Sequence, residues 1–512
     1  MKNKVYIFDT TLRDGEQALH ASLSVEQKVR IARQLSRLNV DVIEAGFPIS
    51  SPGDFDSVKS IAETVQGPAI CGLARTIEKD IVACGKALKN GKRSRIHTFI
   101  GTSAIHAEKK LRKTEDEILD IARTSVKLAR KYTDDVEFSP EDAGRTGPDF
   151  LCRIVEAAIN AGATTVNIPD TVGYTTPEQF AAVFDDLFNR VPNIDKAIIS
   201  AHCHDDLGMA TANSLTAVAH GARQVECTIN GLGERAGNAA LEEIVMALKV
   251  RKDFFKVSSG VNTKEITRTS RLVRDICNMP VQPNKAIVGT NAFSHSSGIH
   301  QDGVLKAKKT YEIMTPRSIG LKENRMNLTS RSGSHMVKNR LISLGYSESE
   351  IEMKSFYERF IGLADKKGTV YDDDLITLME AKSSDEMKDS YSMEYLHVSS
   401  GKVVIPTATV RIKHEGKVFQ EAGCGDGAVA ATTTAIDRIV GYNIKIEEFH
   451  LDSITEGREA LGKVKIIGKT RDGFFTGNGA STDIVEASAI AYMDVVNKIA
   501  RIRKFGKKSK LK

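Results

Sequence analysis

The 512-residue chain contains no tryptophan, and aromatic residues make up only 6% of it. No basic–aromatic stripe is present, so a nucleic-acid surface built on base stacking has no footing here. No run approaches the roughly 18–20 apolar residues that a membrane-spanning helix needs. The opening MKNKVYIFDTTLRDGEQ offers a short apolar run and then acids, which is not the pattern of a secretory leader. Seven cysteines, at 71, 84, 152, 203, 227, 277 and 424, are scattered, odd in number and never spaced as CxxC. That argues against a disulfide framework or zinc ribbon and suits a reducing, cytoplasmic location. Nor is the formal charge of +6 a property of the whole chain. Residues 501–512, RIRKFGKKSKLK, hold seven basic residues and no acid, leaving −1 for the rest. Such a tail is a solvated terminus before it is an anion-binding arm.

What is present is an ordinary globular composition, 41% hydrophobic and 27% charged, in a chain too long for one core. Residues 4–250 alternate β-branched runs with amphipathic stretches at a spacing of roughly 30 residues. Strands are predicted at 5–8, 41–45, 69–74, 95–100, 135–138, 164–168, 197–201 and 223–229. Helices between them include 25–38, 115–131, 149–160, 177–190 and 209–220. Ser24 and Gln27 spell a capping box before the first helix, and Pro148 and Pro177 occupy first-turn positions. Eight strand–helix units in about 250 residues have the count and size of a (β/α)8 TIM barrel. A doubly wound sheet is the rival, but NGLGERAGN puts Ala236 where the third glycine of a dinucleotide fingerprint would fall. The expected domains are a barrel over 1–270, a helical linker region over 271–390 and a C-terminal α+β regulatory domain over 391–512. The linker region carries NAFSHSSGIHQDG and ends in the polar AKSSDEMKDSY, while the C-terminal part contains two similar strand–turn–helix halves.

The most informative residues are His202 and His204 in AIISAHCHDDLG. At the end of a β-strand, period-2 alternation points both imidazoles at one face, where two neutral rings suit a divalent metal. Cys203 between them faces the other way, into packing. In a (β/α)8 barrel the site is built at the C-terminal strand ends. There the first strand delivers Asp9, Arg13 and Asp14, the second Glu44, the fifth Glu141, the sixth Asp170 and Thr171, and the eighth Asn238. Two imidazoles, a carboxylate and an amide oxygen form a thiolate-free set that favours Mn²⁺ or Mg²⁺, with Zn²⁺ as an alternative. A 2-oxo acid chelated there would be polarised by the metal, and Arg13 would meet the oxyanion that develops.

Together DTTLRDGEQ, GFPISSPGDF, RIHTFI, VEFSPEDAGRT, NIPDTVGY, HCHDDLG, NGLGERAGN, HSSGIHQDGVLK and YEIMTPRSIG resemble the 2-isopropylmalate synthases of the DRE-TIM metallolyase superfamily, essentially from end to end. The resemblance implies condensation of acetyl-CoA with 3-methyl-2-oxobutanoate and water to 2-isopropylmalate and CoA, the first committed step of leucine synthesis. It implies metal ligands Asp14, His202, His204 and Asn238, with Mn²⁺ first among the candidate ions. Arg13 would sit on the keto oxygen, and Thr171 and Glu141 would line the 2-oxo acid pocket. His300 and Tyr311 match residues that one subunit lends to the other, with His300 acting as base through a neighbouring acid or water. A homodimer or tetramer and a leucine effector follow from the same likeness. One departure stands out: the usual GNGPVDA of the first regulatory repeat is GDGAVAA here, with Ala428 and Ala430 in place of proline and aspartate. Leucine feedback is therefore expected to be weakened. Citramalate or homocitrate synthases share the metal signatures, and assays with 2-oxo acids of different length separate them. A barrel hydrolase needs further ligands that the strand exits do not supply. A catalytically silent amino-acid sensor sits badly with intact Arg13, Asp14, His202 and His204.

Overall fold

The computed structural model describes residues 3–19, 22–293, 312–321, 328–330, 332–344, 346, 351–367, 370, 374–375, 378–379, 390–453, 462–471 and 473–509. Eight parallel strands close a barrel in sequence order. They are β1 Tyr6–Asp9, β2 Val42–Glu44, β3 Ala69–Arg75, β4 Ser94–Gly101, β5 Asp135–Glu141, β6 Thr165–Asp170, β7 Ile198–Cys203 and β8 Gln224–Cys227. The ring is sealed where β1 pairs β8, Tyr6 against Gln224 through Asp9 against Cys227. Outside run α1 Val25–Leu38, α2 Pro52–Thr64, α3 Glu78–Leu88, α4 Glu115–Ala129, α5 Pro148–Ala161, α6 Pro177–Arg190, α7 Ala210–Ala219 and α8 Leu241–Val250. A short α9, Lys252–Phe255, and α10, Ile266–Cys277, follow, and α10 packs on α1.

Local sequence explains the helix starts. Ser24 and Gln27 form the predicted capping box, as do Thr114 with Glu117 and Thr176 with Gln179. β5 and β6 run past the ends that apolar content suggests. Ser139, Glu141 and Asp170 keep the parallel ladder although their side chains are polar.

Alternation sorts the strand residues into two environments. Ile43, Ile70, Val136, Ile168, Ile199 and Val225 join the helices in one large core. Inside the barrel there is only a small apolar cluster of Phe8, Val42, Ala69 and Cys71. Around it lie Arg95 bonded to Glu137 and Gln224, and His97 bonded to Glu44 and Ser139, all buried. A barrel of this type is usually filled by branched apolar side chains. This one is lined with charge.

The chain divides into two compact units. The first holds the barrel and the described residues up to 293, together with 312–321. In the second, α11 Ser334–Ser343 and α12 Met353–Lys367 share a core that includes Val337, Phe356 and Phe360. The strands β9 Tyr391–Gly401, β10 Val404–His414 and β11 Lys417–Cys424 form one antiparallel sheet followed by α13, Ala428–Val440. β12 Lys445–Ser453, β13 Gly462–Thr470 and β14 Gly473–Ser481 repeat the arrangement, followed by α14, Ile484–Ser509. Each repeat is thus three strands and a helix, longer than the strand–turn–helix expected. Both contribute to one core, in which the Tyr492 hydroxyl donates to Asp437 at 2.9 Å. Among the described residues no helix is long and apolar enough to cross a membrane.

Candidate metal centre at the barrel mouth

The turn after β1 is tied down before it delivers its functional side chains. Asp9 accepts from the backbone N–H and hydroxyl of Thr11, and the Arg13 and Gly15 N–H groups both return to the Thr10 carbonyl. Arg13 then donates Nε to Glu44 and Nη1 to Asp14, each at 2.6 Å. His202, on β7, and His204, one residue beyond it, lie on the same face with ring centroids 4.9 Å apart. Their Nε2 atoms are 3.9 and 3.6 Å from the Asp14 carboxylate.

The eighth loop brings in Asn238, and two of its glycines are required. A Cβ on Gly233 would lie 2.2 Å from the Asn238 amide nitrogen. Gly237 has φ +97, and a Cβ there would lie 2.1 Å from the Gly231 carbonyl oxygen. With that loop closed, Asn238 Nδ2 donates to Asp14 at 3.0 Å and to the Leu232 carbonyl at 3.1 Å. Its Oδ1 is buried and bonds to nothing among the described residues.

These residues fit a cation. One ligand atom each from Asp14, His202 and His204 lies within 4.8 Å of the others, and all three residues are buried. His204 Nδ1 lies 2.6 Å from the Thr171 carbonyl oxygen and 2.7 Å from Arg235 Nη2; with the proton on Nδ1 it donates to that carbonyl, and Nε2 is then the bare nitrogen. That Nε2 is buried and has no hydrogen-bond partner among the described residues. Arg235 braces the same spot, donating to both Asp206 oxygens and to the Thr171 carbonyl. His202 Nδ1 lies 2.7 Å from Glu226, a contact too bent for a hydrogen bond. Buried acceptors left without a partner are costly, and two of them converging beside one ionised carboxylate suit an electrophile.

The electrostatics agree. Burial would raise the Asp14 carboxyl, but Arg13, His204 and His202 outweigh it and hold it well below the ordinary value. Burial pushes His202 down to about 4, which keeps it neutral and able to bind a metal. Glu44 is also buried, yet Arg13 and His97 bring it down to about 2. His97 gains from Glu44 and Glu226 what burial takes away, and rises to about 9.

Arg13, Asp14, Glu141, Thr171, His202 and His204 all line one cavity of about 410 Å³. Thr171 Oγ1 accepts from the Asp142 N–H at 2.9 Å, and Glu141 holds Lys110 through both oxygens at 2.8 Å. Cys203 is fully buried in the main core, away from the ligands. His300 and Tyr311 lie outside the described residues, as do most of NAFSHSSGIHQDG and the linker over 381–389. The cavity also gathers His97, Ser139, Asn167 and Glu226, which sequence reading left without a role. Their signal was spacing: Arg95 and His97, Glu137 and Ser139, Gln224 and Glu226 are polar pairs two apart on strands whose intervening residues are apolar.

Known proteins resemble this chain along nearly its whole length. Residues 4–273 match the HMGL-like family, 287–368 the homocitrate synthase post-HMGL domain-like family, and 369–500 the LeuA allosteric (dimerisation) domain. The 2-isopropylmalate synthase of Aeromonas hydrophila is 56% identical over 501 residues, covering 98% of this chain and 96% of that protein. That of Pseudoalteromonas atlantica is 57% identical over 498 residues, covering 97% and 96%. That of Proteus mirabilis is 57% identical over 501 residues, covering 98% and 96%.

Proposed function

The chain belongs to the 2-isopropylmalate synthase family, and we propose that its barrel mouth joins acetyl-CoA to 3-methyl-2-oxobutanoate, with Asp14, His202, His204 and Asn238 as the residues that would hold a divalent cation. Water then releases CoA and leaves 2-isopropylmalate, the first committed step of leucine synthesis. The observation that carries this reading is the buried set of Asp14, His202, His204 and Asn238, with His204 Nε2 and Asn238 Oδ1 unspent. Mn²⁺ suits that mixed nitrogen and oxygen set best, ahead of Mg²⁺ and Zn²⁺. A cation bound there supplies Lewis-acid polarisation of the keto oxygen.

The chain's own groups do the rest. Arg13 spends Nε on Glu44 and Nη1 on Asp14, which fixes the guanidinium and leaves Nη2 to donate to the oxyanion. Thr171 and Glu141 line the 2-oxo acid pocket. From the partner subunit of a homodimer, His300 takes the methyl proton through a neighbouring acid or water, and Tyr311 joins it. The working location is the cytoplasm. The test is thiol release from acetyl-CoA with Mn²⁺ and 2-oxo acids of graded chain length. Maximal turnover with 3-methyl-2-oxobutanoate supports the assignment; a preference for pyruvate or 2-oxoglutarate overturns it.

The helix start of the first C-terminal repeat bears on regulation. Gly427 caps α13 without a side-chain bond, and Ala428 and Ala430 fill the first and third helical positions. In the second repeat Asp483 accepts from the Val485 and Glu486 N–H groups at 2.7 and 2.9 Å. With no carboxylate at 430 to meet an amino acid's ammonium, leucine inhibits weakly. Restoring the pair with Ala428→Pro and Ala430→Asp lowers the leucine concentration for half-inhibition; an unchanged curve removes this explanation.

A further inference from the structure

Away from the mouth, α1 and α10 flank a groove of about 850 Å³ on the outside of the barrel. Its walls carry Arg30, Arg33 and Arg37 from α1 and Arg268 and Arg271 from α10. All five side chains are exposed, and none has a hydrogen bond, an ion pair or a ring contact with another described residue. The barrel's other flanks show how differently surface arginines are treated. Arg123 pairs with Asp120, Arg153 with Glu115 and Asp116, Arg190 with Asp149, and Arg251 with Asp253. Among the described residues only two carboxylates line the groove, Glu26 and Asp275, and Asp275 is already held by Arg274 at 2.7 Å.

This arrangement works against the fold. Arg30 and Arg33, Arg33 and Arg37, and Arg268 and Arg271 are like-charged pairs three or four residues apart, which destabilises a helix. The two helices are nonetheless pinned side by side. Buried Gln34 on α1 donates to Glu265 at 2.9 Å and to Thr269 of α10 at 3.1 Å. The groove is therefore a fixed, cationic slot with its repulsion uncompensated.

We propose that this groove binds a small organic polyphosphate of about nucleotide size. Guanidinium groups meet phosphate oxygens in bidentate fashion, and a run of phosphates is the common anion with enough charge to answer five of them. The cavity volume falls in the range of ligand sites, about 300–1,000 Å³. Among the described residues no aromatic side chain lines it, so stacking along a nucleic-acid strand is not what it is built for.

The test is calorimetric titration of the full-length, metal-loaded chain with inorganic tripolyphosphate as its Mg²⁺ complex, which spares the enzyme's own cation. The expected result is saturable binding that weakens about tenfold or more in an Arg33→Gln/Arg271→Gln double variant and also weakens with added salt. Thiol release by that variant should match wild type. CoA itself bears phosphates, so a probe that competes with acetyl-CoA in thiol release equally well in wild type and in the double variant would sit at the mouth and overturn the proposal. Absence of saturable heat at low salt, or equal affinity in the double variant, would overturn it as well.

Discussion

Asp14, His202 and His204 at the mouth, and Glu44, Cys71 and His97 inside the same barrel, each offer three candidate ligand atoms within 4.8 Å. Both groups are buried, and by residue type the inner one is the better match to a zinc site because it includes a thiol. Their bonding separates them. Glu44 is shared among Thr10 at 2.7 Å, Arg13 at 2.6 Å and His97 at 2.8 Å. His97 uses both ring nitrogens, the other on Ser139 at 2.7 Å. Burial, reinforced by Glu44 and Glu137, pushes the Cys71 thiol well up, so it holds its proton. A cation there would have to displace Arg13 and a charged imidazole. At the mouth, His204 Nε2 and Asn238 Oδ1 have nothing to give up. Two unspent lone pairs beside one ionised carboxylate, more than ligand identity, mark the candidate metal site.

The largest effect should come from removing one of them. His204→Ala is expected to weaken Mn²⁺ binding by more than the ~10–100-fold that losing a supporting residue costs. Thiol release should fall to background and stay there at moderate Mn²⁺. Chelation of wild type should abolish turnover, and added Mn²⁺ restore it. Electron paramagnetic resonance of Mn²⁺ reads the binding directly. A His204→Ala chain that binds Mn²⁺ like wild type would erase the distinction drawn between the two clusters.

Glu44→Gln probes the other cluster while keeping its shape. It leaves Arg13 with one anchoring carboxylate and His97 without its nearest counter-charge. Loss of an oxyanion donor costs about 10²–10³-fold, so misaiming one should lower kcat by roughly 10–100-fold. Mn²⁺ affinity should change less than about tenfold. An equal loss of metal and of turnover would mean that the two clusters act as one.

Much of this was legible in the chain. The eight-unit rhythm, the capping box at Ser24 and the exits at Asp14, His202 and Asn238 follow from periodicity and from where a parallel barrel collects its loops. The interior was harder to read. Arg95, Glu137, Gln224 and Glu226 sit among β-branched residues, where polar side chains suggest an exposed face; closing the barrel turns that face inward. Strand ends at Glu141 and Asp170 were hidden for the same reason, because backbone pairing ignores side-chain polarity. The α1–α10 groove needed tertiary structure, since Arg33 and Arg271 are 238 residues apart and alone each is a solvated face.

The charge on His97 should also appear in stability. An imidazole raised to about 9 adds stability that is complete below its unfolded value near 6.5 and is lost as pH climbs through 9. Glu226, lifted by burial to about 7, has the same sign, because its ionisation is easier in the unfolded chain, but its loss falls between about 4.5 and 7 and is nearly complete where that of His97 begins. Metal-free protein should therefore lose up to ~3 kcal/mol between pH 6.5 and 9.5. A His97→Gln variant should show a flatter profile of Tm against pH. Parallel profiles would mean that His97 is neutral in the fold.

Cys71→Ala should have the smallest consequence, and for that reason it sharpens the comparison most. The side chain packs with Phe8, Val42 and Ala69, and its thiol makes only a weak contact of 3.8 Å to the Gly72 carbonyl. Truncation removes one sulfur from a small apolar cluster, worth about 1–2 kcal/mol of unfolding free energy in denaturant titration. Because that sulfur bonds to none of Asp14, His202, His204 and Asn238, the number of Mn²⁺ or Zn²⁺ ions bound per chain should not change. Thiol reagents should also leave native Cys71 unmodified while labelling exposed Cys424. If the alanine variant instead binds one zinc fewer than wild type, the inner cluster is a second metal site, and satisfied hydrogen bonds are no guide to where a cation goes.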